Sequence, residues 1–320
     1  MNPLRQPADR PPPMDRSDAP VATLSVIGLG QLGLAVAAAL AANGAAVTVH
    51  DRDPGRVALA CEHGAQAAGG TAQAARADVV VTLLPDDDRL HALVHEAGGL
   101  LAVMPAGALH LCLGTISVAL AGELAAAHRA AGQYFIASPV FGRPEEAWAS
   151  DLTAVLGADP TCPPDVVQRA RAVLARVAPR IHETGSPEAA CAVKLAGNLL
   201  IGSAIAAMTE AFGLARRHGA PPALVHEVIT GKLFRGPVYE ATGRVVADAA
   251  TDAPEIAPGF TVRLGLKDLT LARDAARARD WPMPLADTVH ARLAAAERAG
   301  HGARDWAELP SCLSPTETPP

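Results

Sequence analysis

Aromatic residues are scarce in this chain: Phe, Trp and Tyr make up 3% of its 320 residues, whereas half of the sequence is apolar and Ala dominates that half. Such a composition calls for a core of close-packed helix rather than of aromatic-rich sheet. Clustered positive charge is missing too. With a formal net charge of −6 and no Lys/Arg block, neither a global nor a local field favours nucleic acid. The five cysteines (Cys61, Cys112, Cys162, Cys191, Cys312) are odd in number and never in CxxC spacing. That scatter fits reduced thiols, argues against a zinc or disulfide framework, and leaves no metal expected at an active site. Nor does a membrane span suggest itself, because the uncharged run from Leu195 is shorter than the roughly 20 residues a bilayer requires and includes Asn198. The first residues lack an apolar signal-peptide region and are rich in Pro, Asp and Arg. Residues 1–21 therefore read as a disordered tail on a cytoplasmic protein, and 312–320 as a second tail.

A chain of this length exceeds one ordinary core and implies two domains. Between them lies the most regular stretch, 186–219, which reads as one long helix. Ser186 is placed to cap it, Pro187 suits the first helical position, and Glu188 sits at the positive end. Arg216, Arg217 and His218 sit at the negative end before Gly219 stops the run. Lys194 and Asn198 are four apart, hence on one face of an otherwise apolar helix. Taken alone, the pair fits a lysine reaching for the surface and an amide bonding a nearby loop.

Residues 22–185 alternate strand and helix, the pattern of a doubly wound parallel sheet. Its first strand, 23–27, meets Gly28, Leu29, Gly30, Gln31, Leu32 and Gly33 and then a helix. Three glycines in this spacing, after a strand and before a helix, form a dinucleotide-binding turn: Gly28 for the bend, Gly30 for close approach of a pyrophosphate, Gly33 for helix–strand packing. The second strand delivers Asp51, the acid expected at the ribose, followed by Arg52, a possible partner for a 2′-phosphate. The pair leaves NAD and NADP both open, with Asp51 tipping the expectation to NAD. Ligands bind outside the carboxyl ends of such strands, which points Leu84 and Pro85, Gly114 and Thr115, and Val140 to Arg143 at one crevice. Beyond residue 219 every periodic segment is helical up to about 311. Phe234 stands in a break between helices, either closing a pocket over the crevice or packing between helices.

The chain resembles the β-hydroxyacid dehydrogenase family, which includes 3-hydroxyisobutyrate dehydrogenase and the glyoxylate/succinic semialdehyde reductases. The resemblance runs from about residue 23 to 309 and rests on GLGQLG at 28–33, GTIS at 114–117, SPVFGRP at 138–144, KLAGN at 194–198 and GLKDL at 265–269. It implies an α/β fold with a Rossmann NAD(P)-binding domain at 22–185, an interdomain helix at 186–219 and an all-α domain at 220–311 that forms a homodimer. It also implies Lys194 as general acid/base, Asn198 holding substrate, Leu84, Pro85 and Thr115 beside the nicotinamide, and Lys267 at the cofactor or substrate edge. The implied substrate is a small hydroxy acid or its aldehyde. Three departures stand out. Gly114 replaces a common serine, Phe141 and Arg143 alter the glycine-rich stretch that cradles a substrate carboxylate, and Gly197 replaces the first of two asparagines. Ser117, Phe141, Gly142, Arg143 and Phe234 are accordingly the candidate substrate residues. Imine reductases share the architecture but typically place an acid or tyrosine at the position of Lys194, and a non-catalytic dinucleotide-binding dimer is the third reading.

Overall fold

The computed structural model describes residues 23–251 and 256–312. The tail expected at 1–21 lies outside these, as does all but the first residue of the tail expected at 312–320. Strands β1 (Leu24–Ile27), β4 (Val79–Thr82) and β5 (Leu109–Cys112) are buried along their whole length, as strands covered on both faces must be. Together with β2 (Val47–His50), β3 (Gln66–Ala67) and β6 (Tyr134–Ala137) they form a parallel sheet in the order β3-β2-β1-β4-β5-β6. The order reverses between β1 and β4, and a crevice opens there at the carboxyl ends. Helices α1 (Gln31–Ala42), α2 (Pro54–Glu62), α3 (Thr71–Ala74), α4 (Asp87–His95), α5 (Leu100–Val103) and α6 (Val118–Ala130) connect these strands.

The sheet, mostly parallel as expected, continues with β7 (Val140–Phe141), β8 (Thr153–Ala158) and β9 (Arg180–Glu183), and at this edge one strand turns antiparallel. β8 runs antiparallel to both β6 and β7. Only the short helix α7 (Pro144–Trp148) separates β7 from β8, too little chain for a parallel crossover. After α8 (Pro164–Leu174), β9 again pairs parallel.

Helix α9 (Pro187–Arg217) has the limits its sequence specifies: Ser186 Oγ accepts from Ala189 N–H at 3.1 Å, Pro187 opens the first turn, and Gly219 takes φ +87°. Its first turns place Ala190 and Cys191 in the core of the sheet domain, while Ala204, Ile205, Met208 and Phe212 belong to the core of the helical domain. By length and composition alone α9 is apolar enough to cross a membrane, as the core helix of a soluble protein can also be. Its residues instead serve two protein cores. The helical domain is completed by α10 (Pro222–Lys232), a wide π turn (Val238–Thr242), α11 (Gly243–Ala249), α12 (Val262–Arg277), α13 (Pro284–Ala296) and α14 (Leu309–Cys312).

A polar chain crosses the sheet-domain core. Gln133 Nε2 donates to the carbonyls of Met104 (2.8 Å) and Leu101 (3.2 Å), so its Oε1 accepts from His128 Nδ1 at 2.8 Å. His128 Nε2 must then accept from His110 Nδ1 (2.9 Å), and His110 Nε2 from Thr82 Oγ1 (2.9 Å). Each ring therefore carries one proton. Burial holds His110 well below its usual value and His128 at about 4. Because both folded-state values lie under the ordinary 6.5, the network's stabilisation is complete above pH 6.5 and lost as pH falls toward 4. The melting temperature should drop across that window, each histidine contributing a slope of up to about 1.4 kcal/mol per pH unit. Thermal melts of wild type over the same range would show a level curve if the network did not matter.

Candidate active site

β1 delivers the glycine turn to the crevice. Gly28 adopts φ +97°, and a Cβ there would stand 2.5 Å from the Leu83 carbonyl oxygen; one on Gly33 would collide with the Gly28 carbonyl. A Cβ on Gly30 would meet nothing within 4 Å. Two of the glycines thus satisfy the protein's own backbone, whereas Gly30 faces open space. Helix α1 starts at that space with no side-chain cap and no acid in its first turn, unlike α2, α4, α6, α9 and α12, each of which a side chain caps. Its unpaired amides and positive dipole end suit a pyrophosphate, so the residues present fit a dinucleotide. Gln31 is exposed at the mouth, Leu32 is half-buried, and Leu29 is buried with its N–H donating to Asp51 Oδ2 at 2.6 Å. Asp51 Oδ1 also accepts from Asp53 N–H at 2.8 Å, so this acid fixes the glycine turn. Arg52 beside it is exposed.

The turns after β4 and β5 form the next wall. A Cβ on Gly114 would lie 3.0 Å from the Leu84 carbonyl, so the lack of a side chain there lets Leu84–Pro85 and Gly114–Thr115 close against each other. Ser117 caps α6 by accepting from Leu120 N–H (3.0 Å), and its own N–H donates to Asp87 on α4. Lys267, on α12, reaches across from the helical domain and donates to the Thr115 carbonyl at 2.7 Å. Its ammonium also pairs with its chain neighbour Asp268 at 3.0 Å.

Asp268 is not among the candidate site residues, and adjacent helix positions are expected to find different partners, yet it pairs with Lys267. It is 1% exposed, and its second oxygen accepts from Asn198 Nδ2 at 2.5 Å. The GLKDL motif contained the signal, an acid on the buried face of a helix with a lysine adjacent. Lys194, one turn before Asn198, lies with its Nζ 4.3 Å from the centroid of the Phe141 ring. Burial lowers its pKa to about 8, against an opposing pull from the Asp268 carboxylate and with a smaller push from Lys267. The Phe141 ring occupies the space that a side chain at position 197 would need, since a Cβ on Gly197 would run into it. Gly142 takes φ +137°, and Arg143 is half-buried with its guanidinium beside Gly259 of the helical domain. Phe234, by contrast, is 44% exposed and stacks on Tyr239 at 4.6 Å; the structure gives it that partner rather than the Lys194–Asn198 face.

Two family models cover the chain: the NAD-binding domain of 6-phosphogluconate dehydrogenase over residues 23–185, and the NAD-binding domain of NADP-dependent 3-hydroxyisobutyrate dehydrogenase over 189–313. L-threonate dehydrogenase of Cupriavidus necator is 30% identical over 88% of this chain and 93% of its own length. The 3-hydroxyisobutyrate dehydrogenase of Pseudomonas aeruginosa is 32% identical over 82% and 88% respectively. Among solved structures, Mycobacterium tuberculosis 3-hydroxyisobutyrate dehydrogenase with L-serine superposes with a TM-score of 0.78 at 28% identity, covering 91% of this chain and 98% of that one. With both halves of the chain covered by family models and with relatives of 30% or more identity matched along most of its length, the chain belongs to the β-hydroxyacid dehydrogenase family of NAD(P)-dependent oxidoreductases.

Proposed function

We propose that this protein interconverts a small hydroxy acid and its aldehyde or keto acid, with Lys194 as the general acid/base. The observation that carries this reading is the Lys194 ammonium, 4.3 Å from the Phe141 ring centroid and under the influence of the Asp268 charge, with its pKa lowered by burial to about 8. Near neutral pH both of its protonation states are populated, which suits a group that delivers a proton to a substrate oxygen in one direction and removes it in the other. The nicotinamide, when bound, supplies or accepts the hydride. Gly28 to Gly33 would hold the pyrophosphate, Asp51 and Arg52 the adenosine ribose end, and Leu84, Pro85 and Thr115 the nicotinamide side, with Lys267 bracing Thr115. Asn198 spends one N–H on Asp268 and has its carbonyl and second N–H left to fix the substrate oxygen beside Lys194. Asp268 acts through its neighbours: it orients Asn198 and keeps Lys194 from losing its proton altogether.

The same geometry speaks to the substrate. With Phe141 and Gly197 forming an aromatic floor, the pocket accepts an apolar group on the substrate, and Arg143 is the cation available for its carboxylate. The hydroxyl proton of Ser117 and the bend at Gly142 complete the wall. A homodimer fits as well. Val193, Leu200 and Leu214 are 43%, 70% and 63% exposed at spacings of seven and fourteen residues along α9, with Leu224 and Val228 (50% and 59%) one turn apart on α10. From that dimer Phe234 would serve a substrate pocket through its exposed ring. Free, buried Cys112 and Cys191 suit the reducing cytoplasm.

Lys194→Met, similar in shape but without a proton, should retain cofactor binding and stability and lose kcat by about 10² to 10⁴. In wild type, kcat/KM for carbonyl reduction should fall as pH rises through about 8, and for oxidation should rise through it, because the acid form serves the first and the base form the second. Near-normal turnover by Lys194→Met would discard the mechanism and leave the fold assignment standing. Asp51→Ala should shift the ratio of kcat/KM for NADH and NADPH toward NADPH by removing a carboxylate that repels a 2′-phosphate; an unmoved ratio would confine Asp51 to bracing the glycine turn. Arg143→Ala should raise KM for acidic substrates and spare neutral aldehydes, whereas an equal loss on both would assign Arg143 to the contact with Gly259.

A further inference from the structure

Away from the crevice, α4 and α6 lie side by side and present three metal-binding side chains to solvent. His91 and His95 are four residues apart on α4, so both rings leave the same helix face, stacked 4.3 Å apart at 26°. Glu123 projects from α6 toward them, its Oε1 3.2 Å from His91 Nε2 and 3.3 Å from His95 Nε2. All three donor atoms lie within 4.8 Å of one another. We propose that His91, His95 and Glu123 form a binding site for a zinc-class divalent cation that staples α4 to α6.

The distances fit the ion. Zinc bonds nitrogen and oxygen ligands at about 2.0–2.1 Å, so two ligands of a tetrahedral site stand about 3.3–3.4 Å apart. Both imidazole-to-carboxylate separations already have that value to within about 0.2 Å. Two imidazoles and one carboxylate favour Zn²⁺ and its neighbours in the transition series over Mg²⁺ or Ca²⁺, which prefer all-oxygen sites. Exposure of the three side chains (52%, 30% and 51%) gives the ion a path from solvent and leaves the fourth position to water. Without a cation, both imidazoles compete for one carboxylate oxygen, and only a protonated ring makes an ion pair with it. A divalent ion replaces those protons and satisfies all three groups together.

The staple closes an existing link. At the crevice end of the same two helices the Asp87 carboxylate accepts from Ser117 N–H at 3.0 Å. The proposed ion ties the helices again further along, at the second and last turns of α4. Turns 83–86 and 113–117, which lead into these helices and form one wall of the crevice, would then be held by a doubly fastened pair. The sequence gives little warning of such a site, since one spacing of His-x₃-His is common and the third ligand is 28 residues away.

Zinc titrated into the untagged, full-length protein near neutral pH, followed by calorimetry, should bind one ion per chain with release of protons, and thermal melts should rise by several degrees at saturation. Mg²⁺ in the same excess should do neither. Co²⁺ should give the intense visible bands of a four-coordinate site. His95→Ala and Glu123→Gln, both at exposed positions, should each weaken zinc binding by at least about tenfold and remove the thermal shift, while leaving the metal-free melting temperature unchanged. His91→Ala is the substitute should either variant fail to fold. Unchanged zinc affinity and stoichiometry in these variants, or no saturable uptake by wild type, would overturn the proposal.

Discussion

A carboxylate sealed from water is stable only where donors surround it, and Asp268 meets that demand by drawing on both halves of the molecule. One oxygen takes Asn198 from the interdomain helix, the other takes Lys267, and Lys267 in turn grips the Thr115 carbonyl in the sheet domain. Removing any one of these contacts would leave a buried charge or a buried amide without its partner. The cluster ties α9, α12 and the Thr115 turn of the sheet domain together on the face that carries Lys194. Lys194 feels the consequence directly: burial among apolar neighbours lowers its pKa, and the Asp268 charge limits the fall.

Close approach of α9 to both domains depends on small residues on the helix and opposite it. A Cβ on Gly157 would collide with the Ser186 carbonyl at the start of the helix, and one on Gly202 would lie 3.3 Å from Val289. On the far side a Cβ on Gly265 would stand 2.7 Å from the Trp306 ring, so α12 is drawn in by the same means. Glycine at these contacts is thus the packing device. It lets one helix of 31 residues belong to two cores, at the cost of an apolar surface that would pass for a membrane span.

What could be read from the sequence was whatever chemistry is local. The cap at Ser186, the bend at Gly28 and the close packing at Gly33 each follow from a residue and its near neighbours, and the structure has them as expected, whereas the capping of α6 by Ser117 was not foreseen. The antiparallel return of β8 was not legible, because strand direction depends on the length of chain available for a crossover and both directions share one hydrophobic pattern. Through-space pairings were equally hidden. His110 and His128 are 18 residues apart, Asn198 and Asp268 are 70 apart, and nothing in either neighbourhood names the other.

Two positions singled out in the sequence, 141 and 197, turn out to be one feature. Phe141 and Gly197 stand 56 positions apart in sequence, yet the ring of the first fills the volume that any side chain at the second would require. A large residue at 141 thus excludes one at 197, and an asparagine restored at 197 would have to displace the ring from beneath Lys194. Together the two positions present an aromatic face. That face brings no hydrogen bond to the substrate, but it places a π cloud 4.3 Å from the Lys194 ammonium, an attraction that favours the charged form where burial disfavours it. Under the proposed mechanism the floor and the lysine are therefore coupled: the residues that would shape the substrate pocket also bear on the acidity of Lys194.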